Sequence, residues 1–191
     1  MELKIKHKAK SDSELIIEVM KLDKMGYPNY MQGTFDTIYA RFKKNEDSFI
    51  LAYHENKLVG YLCFFPISDN LLNKIYKDDD MYDTDILPKD IRSYGKEGIY
   101  NIFIISIVVH PDYQGSDVIK HIAESFVRKI QIINVCGNSI GKIVANAVSY
   151  KGKNFLEKMN FTNKRILNEG YLLYECFIED LYYLGGEKRY E

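Results

Sequence analysis

The run Tyr100-Asn101-Ile102-Phe103-Ile104-Ile105-Ser106-Ile107-Val108-Val109 leads into His110-Pro111-Asp112-Tyr113-Gln114-Gly115-Ser116, and the helically spaced set Val118, Ile119, Ile122, Ala123, Phe126, Val127 and Ile130 follows. The first ten residues are apolar at nearly every position, interrupted within 102–109 only by Ser106, which predicts a central strand covered on both faces. Proline and glycine break it, and the 3.6-residue stripe beyond predicts an amphipathic helix. A strand feeding a turn and then a helix delivers unpaired N–H groups and the positive end of a helix dipole to one spot, which is enough to hold a phosphate without a basic side chain. Neither GxGxxG nor a Walker loop is present.

Upstream, Leu3, Ile5, His7 and Ala9 alternate with Lys4, Lys6 and Lys8, predicting a half-buried strand over 3–9. Ser11 and Glu14 form a capping-box pattern before Leu15, Ile16, Val19 and Leu22, a helix that Gly26 and Pro28 end. Phe35, Ile38, Tyr39 and Phe42 predict a second helix between Thr34 and Asn45. The runs 48–53 and 58–65, joined by the polar turn 54–57, predict an antiparallel hairpin. From Ile67 to Gly98 runs an acidic, tyrosine-containing excursion with a short helix near 71–76. Asp78, Asp79, Asp80 and Asp83 lack the glycine and terminal glutamate of a calcium loop, so they read as solvated acids. Downstream come a strand over 142–148, a helix over 151–159 and a late strand over 171–178.

A chain of 191 residues with 46% apolar and 28% charged residues reads as one domain, 1–191, with a sizeable core. Its net charge of −1 supplies no global field to gather nucleic acid or an anionic membrane, so neither partner is expected and any anion site must be local. Cys63, Cys136 and Cys176 lie far apart without a CxxC pair, as suits buried thiols in a reducing cytoplasm. His7, His54, His110 and His121 are scattered with no ligand spacing, so no metal is expected. The charged opening MELKIKHKAK without an apolar run reads as neither a signal peptide nor a membrane span.

The order of elements, together with Val109-His110-Pro111-Asp112-Tyr113-Gln114-Gly115 and the later Phe155-Leu156-Glu157-Lys158-Met159-Asn160-Phe161, resembles the GNAT superfamily of N-acetyltransferases over nearly the whole chain. Val109, Pro111, Gln114, Phe155, Glu157, Lys158 and Phe161 fall on the matching positions. The resemblance implies a mixed α/β (α+β) fold with a mostly antiparallel sheet flanked by helices, whose fourth and fifth strands, 100–109 and 142–148, splay apart to admit acetyl-CoA. It implies that main chain near Val108 and Val109 pairs with the pantetheine arm. The N–H groups of Gln114, Gly115, Ser116, Asp117, Val118 and Ile119 would hold the pyrophosphate, and Ser149 would stand where the family often has an asparagine touching the cofactor. No metal is implied.

Asp117 and Ile119 occupy positions where the family prefers small residues, so weak CoA binding is expected, with Asp117 either repelling phosphate or capping the helix with its side chain. Leu156 stands at the position of the family's usual acid and Asn101 at that of a frequent base, and neither exchanges a proton. Glu97, Tyr100 and Tyr150 are the nearby titratable candidates for catalysis. The implied function is transfer of an acetyl group from acetyl-CoA to a primary amine, on a small molecule or a peptide, by direct attack. The alternative is a catalytically degenerate protein that binds acyl-CoA or a protein partner without turnover. The acceptor site would be built from 27–41 and the acidic excursion, and the apolar late strand suits pairing across a homodimer.

Overall fold

The computed structural model describes residues 2–7, 11–78, 85–95 and 98–182. Seven strands, β1 (Leu3–Lys6), β2 (Phe49–His54), β3 (Lys57–Ile67), β4 (Ile99–Val109), β5 (Ser139–Ala147), β6 (Thr162–Ile166) and β7 (Leu172–Phe177), form one sheet in the order β1-β2-β3-β4-β5-β7-β6. Every neighbouring pair is antiparallel except β4 and β5, which run parallel. Five helices flank it: α1 (Asp12–Gly26), α2 (Phe35–Lys44), α3 (Asp69–Lys77), α4 (Val118–Val135) and α5 (Tyr150–Lys158). This is the expected mixed α/β architecture with a central, doubly covered β4.

The period of two along β3 divides the core. Leu62 and Phe64 pack with Ile122, Phe126 and Ile130 of α4, whereas Tyr61, Cys63 and Phe65 pack with Leu15, Val19 and Leu22 of α1. Both faces are thus buried, which is why β3 and β4 read as almost unbroken apolar runs. The β2–β3 hairpin turns through Glu55 and Asn56, both at positive φ, so the connection is two residues long. Thr34 and Ser68 cap α2 and α3 by accepting hydrogen bonds from Thr37 N (3.3 Å) and Leu71 N (3.2 Å).

Several expectations are corrected. Ser11 stands at the N-cap of α1, but its hydroxyl pairs with Ser13 Oγ and no capping box forms. Strand β5 begins at Ser139, earlier than the apolar run suggested. The late strand offers no edge for pairing across a homodimer, because β5 and β6 occupy both of its sides. Cys136 ends α4 exposed, whereas Cys63 and Cys176 are buried. Glu97, and Asp79, Asp80 and Asp83 of the acidic excursion, lie outside the described residues.

One irregularity in β4 shapes everything that follows. Cys63 pairs with Ser106 and Phe64 with Ile104, so Ile105 is the extra residue of a β-bulge. Ile104 packs on the α4 side, Ile105 on the α1 side, and Ser106 Oγ reaches Tyr61, also on the α1 side. The bulge therefore turns two successive side chains to one face. It also coincides with the last β4–β5 pair, Ile104 with Ala145.

Candidate active site

Strand β4 continues five residues beyond that last pair while staying in register with β3 to Val109. The strands diverge as expected, and the gap is a cleft of about 380 Å³ whose walls are 104–109 of β4, Ala145 at the split with Asn146 and Val148 beyond it, and one side of α5. Main-chain groups of Ile107 and Val109 face this gap. The Tyr27 hydroxyl donates to the Ile107 carbonyl and accepts from the Ile107 N–H, both at 3.2 Å, and Gln114 Nε2 donates to the Val109 carbonyl at 3.3 Å. Tyr27 can approach because Gly26 precedes it; a Cβ there would sit 3.0 Å from Val108 Cγ1.

At one end of the cleft, a 3₁₀ turn over Pro111–Tyr113 leads through Gly115, at φ +82 with open space around it, into α4. Among the described residues no acceptor serves the N–H groups of Ile119 and Lys120, donors that a helix start leaves over. Asp117 sits at the N-cap, yet its carboxylate makes no capping bond, contrary to the expectation that it would compete for these donors. The Asp117 side chain is exposed and absent from the cleft wall, so any repulsion of a phosphate is weighted towards the aqueous limit of about 1 kcal/mol at 4 Å. Ile119 does line the cleft. Lys151 Nζ donates to Gln114 Oε1 at 2.5 Å, which brings a cation to the same end. Ser149 caps α5 by accepting from Gly152 N at 3.1 Å while lining the cleft.

The structure thus brings together Val108, Val109, Gln114, Gly115, Ser116, Ile119 and Ser149 around one cavity. Val118 is fully buried beside Gly60 of β3 and lies outside the cleft wall, as does Asp117. The catalytic candidates do not converge there. Tyr100 is fully buried, stacked under Arg92 (4.2 Å) with its hydroxyl 3.5 Å from the Ser93 carbonyl, and Tyr150 is 75% exposed; neither borders the cleft. Asn101 ties α3 to the sheet through Asp69 Oδ1 (3.1 Å) and accepts from Lys142 N (3.0 Å) where the β4–β5 register skips a residue. Leu156 is buried in the cleft floor.

Residues that sequence reasoning missed include Asn146, Lys151 and Asp23. Asn146 lines the cleft with its buried Oδ1 lacking any hydrogen-bond partner, as expected of a site that a polar ligand completes. A smaller cavity of about 80 Å³ lies behind Ile105 and Ser106, lined by Asp23, Tyr27, Tyr61 and Arg41, and it shares Tyr27, Ser106, Asn146 and Val148 with the cleft. Burial pushes the Asp23 carboxyl up to about 6, against the opposing hydrogen bond from Tyr61. Among the described residues no group of three or more His, Cys, Asp or Glu side chains could hold a metal ion, and no helix is long and apolar enough to cross a membrane.

An extended ligand with amide groups along an arm and phosphates at one end fits these residues. The β4 edge beyond Ile104 has no strand partner, its Ile107 groups being held by Tyr27 and its Val109 carbonyl by Gln114; an unsatisfied amide oxygen faces it, and unclaimed helix N–H groups and a lysine stand at the end. Known structures share the fold at low identity. The loading GNATL domain of CurA from Lyngbya majuscula is 15% identical, with a TM-score of 0.70 over 94% of this chain and 99% of that one. The NatC complex bound to Gag peptide and CoA is 14% identical with a TM-score of 0.66 over 93% and 99%. The GphF GNAT-like decarboxylase in complex with isobutyryl-CoA is 10% identical with a TM-score of 0.65 over 92% and 99%. No curated protein matches the chain. The model of the acetyltransferase (GNAT) family matches residues 16–131, more than half of the length, and the chain therefore belongs to that family.

Proposed function

We propose that the chain acts as a single GNAT domain over 1–191 and transfers an acetyl group from acetyl-CoA to a primary amine. The carrying observation is the main-chain edge of β4 that β5 leaves open beyond Ile104, ending at the first turn of α4. In this reading the Val109 main chain pairs with an amide of the pantetheine arm, the Ile107 groups stay with the Tyr27 hydroxyl, and Val108 and Ser149 pack beside the arm. The N–H groups of Ile119 and Lys120 and the Lys151 ammonium hold the pyrophosphate, whereas those of Gln114, Ser116 and Val118, expected to share this task, are already bonded to the Pro111 carbonyl, the Tyr113 carbonyl and Ser116 Oγ. Asn146 Oδ1 gains the donor it lacks. The thioester arrives already activated, so the residues around the split mainly align an amine against its carbonyl and exclude water. The amine forms the new C–N bond, the C–S bond breaks, and one proton must leave the nitrogen. A small molecule or a peptide can supply the amine; the peptide in the NatC structure illustrates the second class.

A second reading is favoured by Leu156 and Asn101, which the family resemblance aligns with proton-transfer positions and which cannot transfer protons: a protein that binds acyl-CoA without turnover. Release of CoA thiol with a panel of small amines and peptide N-termini separates the two. The first reading expects acceptor-dependent release, and its absence from a folded, acetyl-CoA-bound protein leaves the second.

A further inference from the structure

Behind the bulge in β4, hydroxyl groups form a line into the protein. The Tyr61 hydroxyl donates to Asp23 Oδ1, lies 2.7 Å from Ser106 Oγ, and Ser106 Oγ donates to the Tyr27 hydroxyl at 3.2 Å. Tyr27 spends its own hydrogen on the Ile107 carbonyl. Three oxygen-to-oxygen contacts, Asp23–Tyr61, Tyr61–Ser106 and Ser106–Tyr27, therefore share the hydrogens of only two hydroxyls, Tyr61 and Ser106. With Asp23 ionised, one contact must lack its hydrogen. With Asp23 protonated, all three are filled and every hydrogen points towards Tyr27. The line has two directions, and one proton switches between them.

We infer that Ser106, Tyr61 and Asp23 form the proton-accepting relay of the transfer reaction, with Ser106 as the group that meets the amine. This rests on the acyltransferase reading above. Ser106 is placed for it, since it borders both the cleft and the smaller cavity. As the amine nitrogen forms its bond to the thioester carbonyl, its proton passes to Ser106 Oγ. The Ser106 hydrogen turns from Tyr27 to Tyr61 and passes to it, and the Tyr61 hydrogen passes to the Asp23 carboxylate. The shifts are concerted, so no alkoxide or phenolate forms. Collapse of the adduct re-forms the carbonyl and expels CoA as the thiolate, and half-buried Asp23 later returns the proton to water. Charge balances: one carboxylate is neutralised and one thiolate is released. The carboxyl with its raised affinity for a proton suits the receiving end near neutrality. The other ionisable groups facing that cavity are Tyr61 and Cys63 from β3, Tyr27 beyond α1, and Arg41 from α2, whose Nε donates to the Ile86 carbonyl at 2.9 Å.

Two measurements on the full chain test this. With an accepted amine, Asp23→Asn and Ser106→Ala should each lower kcat by about 100-fold or more while the acetyl-CoA Kd stays within about twofold, and the limb of the wild-type pH profile near 6 should vanish in Asp23→Asn. Unchanged kcat in both variants overturns the relay and leaves the acyltransferase reading standing. Independently of turnover, carbon NMR of the tyrosine rings should show Tyr61 and Tyr27 shifting with the Asp23 titration. Ser106→Ala should abolish the Tyr27 response and spare that of Tyr61. A Tyr27 signal that ignores Asp23, or follows it equally without Ser106, overturns the relay even if no acceptor is found. Absence of acetyl-CoA binding by the wild type refutes the acyltransferase reading instead.

Discussion

The two halves of β4 have nearly the same composition and different fates. From Ile99 to Ile104 the strand is paired on both edges, and its side chains fill two cores. From Ile105 to Val109 it keeps β3 on one edge and faces a cleft on the other. The first half holds the sheet together. The second forgoes a strand partner; Tyr27 holds the Ile107 groups, and the Val109 main chain beyond them is what a ligand arm can use. Apolar content does not separate them; a one-residue bulge and the end of a ladder do.

Damage to the closed half should cost the most stability. Phe126 packs edge-to-face on Phe64 with centroids 5.2 Å apart, next to the Ile104 pair, so Phe126→Ala should lose about 3–5 kcal/mol in urea unfolding. Next comes Asp23, on the open side. The fold favours its protonated form, and that benefit is complete below its ordinary value of 3.8 and is lost as pH rises to about 6. Above this window the ionised carboxyl costs up to about 3 kcal/mol at 1.36 kcal/mol per unit. Asp23→Asn should therefore be more stable than wild type at pH 7 and show no gain at pH 3.5, as unfolding at the two pH values can check. A gain of equal size at both would sever the link to ionisation.

Smaller effects should appear only in binding. Lys151→Ala should weaken acetyl-CoA by roughly threefold at low salt and less at high salt, read by calorimetry. Replacing Asp117 and Ile119 together by glycine should tighten binding by about two- to fivefold, at a helix cost of about 1 kcal/mol at Ile119 and a few tenths at the Asp117 N-cap. Unchanged affinity would mean that the Ile119 side chain does not obstruct the phosphates.

Much of this division was legible in the sequence. The apolar run of β4, the Pro111 and Gly115 turn and the α4 stripe each express a local rule, so the strand, the turn and the helix start could be placed from the residues, whereas the split was implied by the family resemblance alone. Ser106 was visible as the lone polar residue of 102–109, but its partners are 45 residues upstream in Tyr61 and 79 in Tyr27, beyond any local pattern. Strand β6 was missed because Thr162-Asn163-Lys164-Arg165-Ile166 is an exposed edge with nothing to alternate. Tyr100 was chosen for its nearness to the cleft in sequence, whereas β4 turns it inward, beneath Arg92.

Calorimetric titration of the intact chain with acetyl-CoA tests most directly whether the open half of β4 is a cofactor site. Saturable one-to-one binding that Lys151→Ala weakens is the predicted result. No saturable heat up to millimolar acetyl-CoA, from a protein shown to be folded, would contradict it.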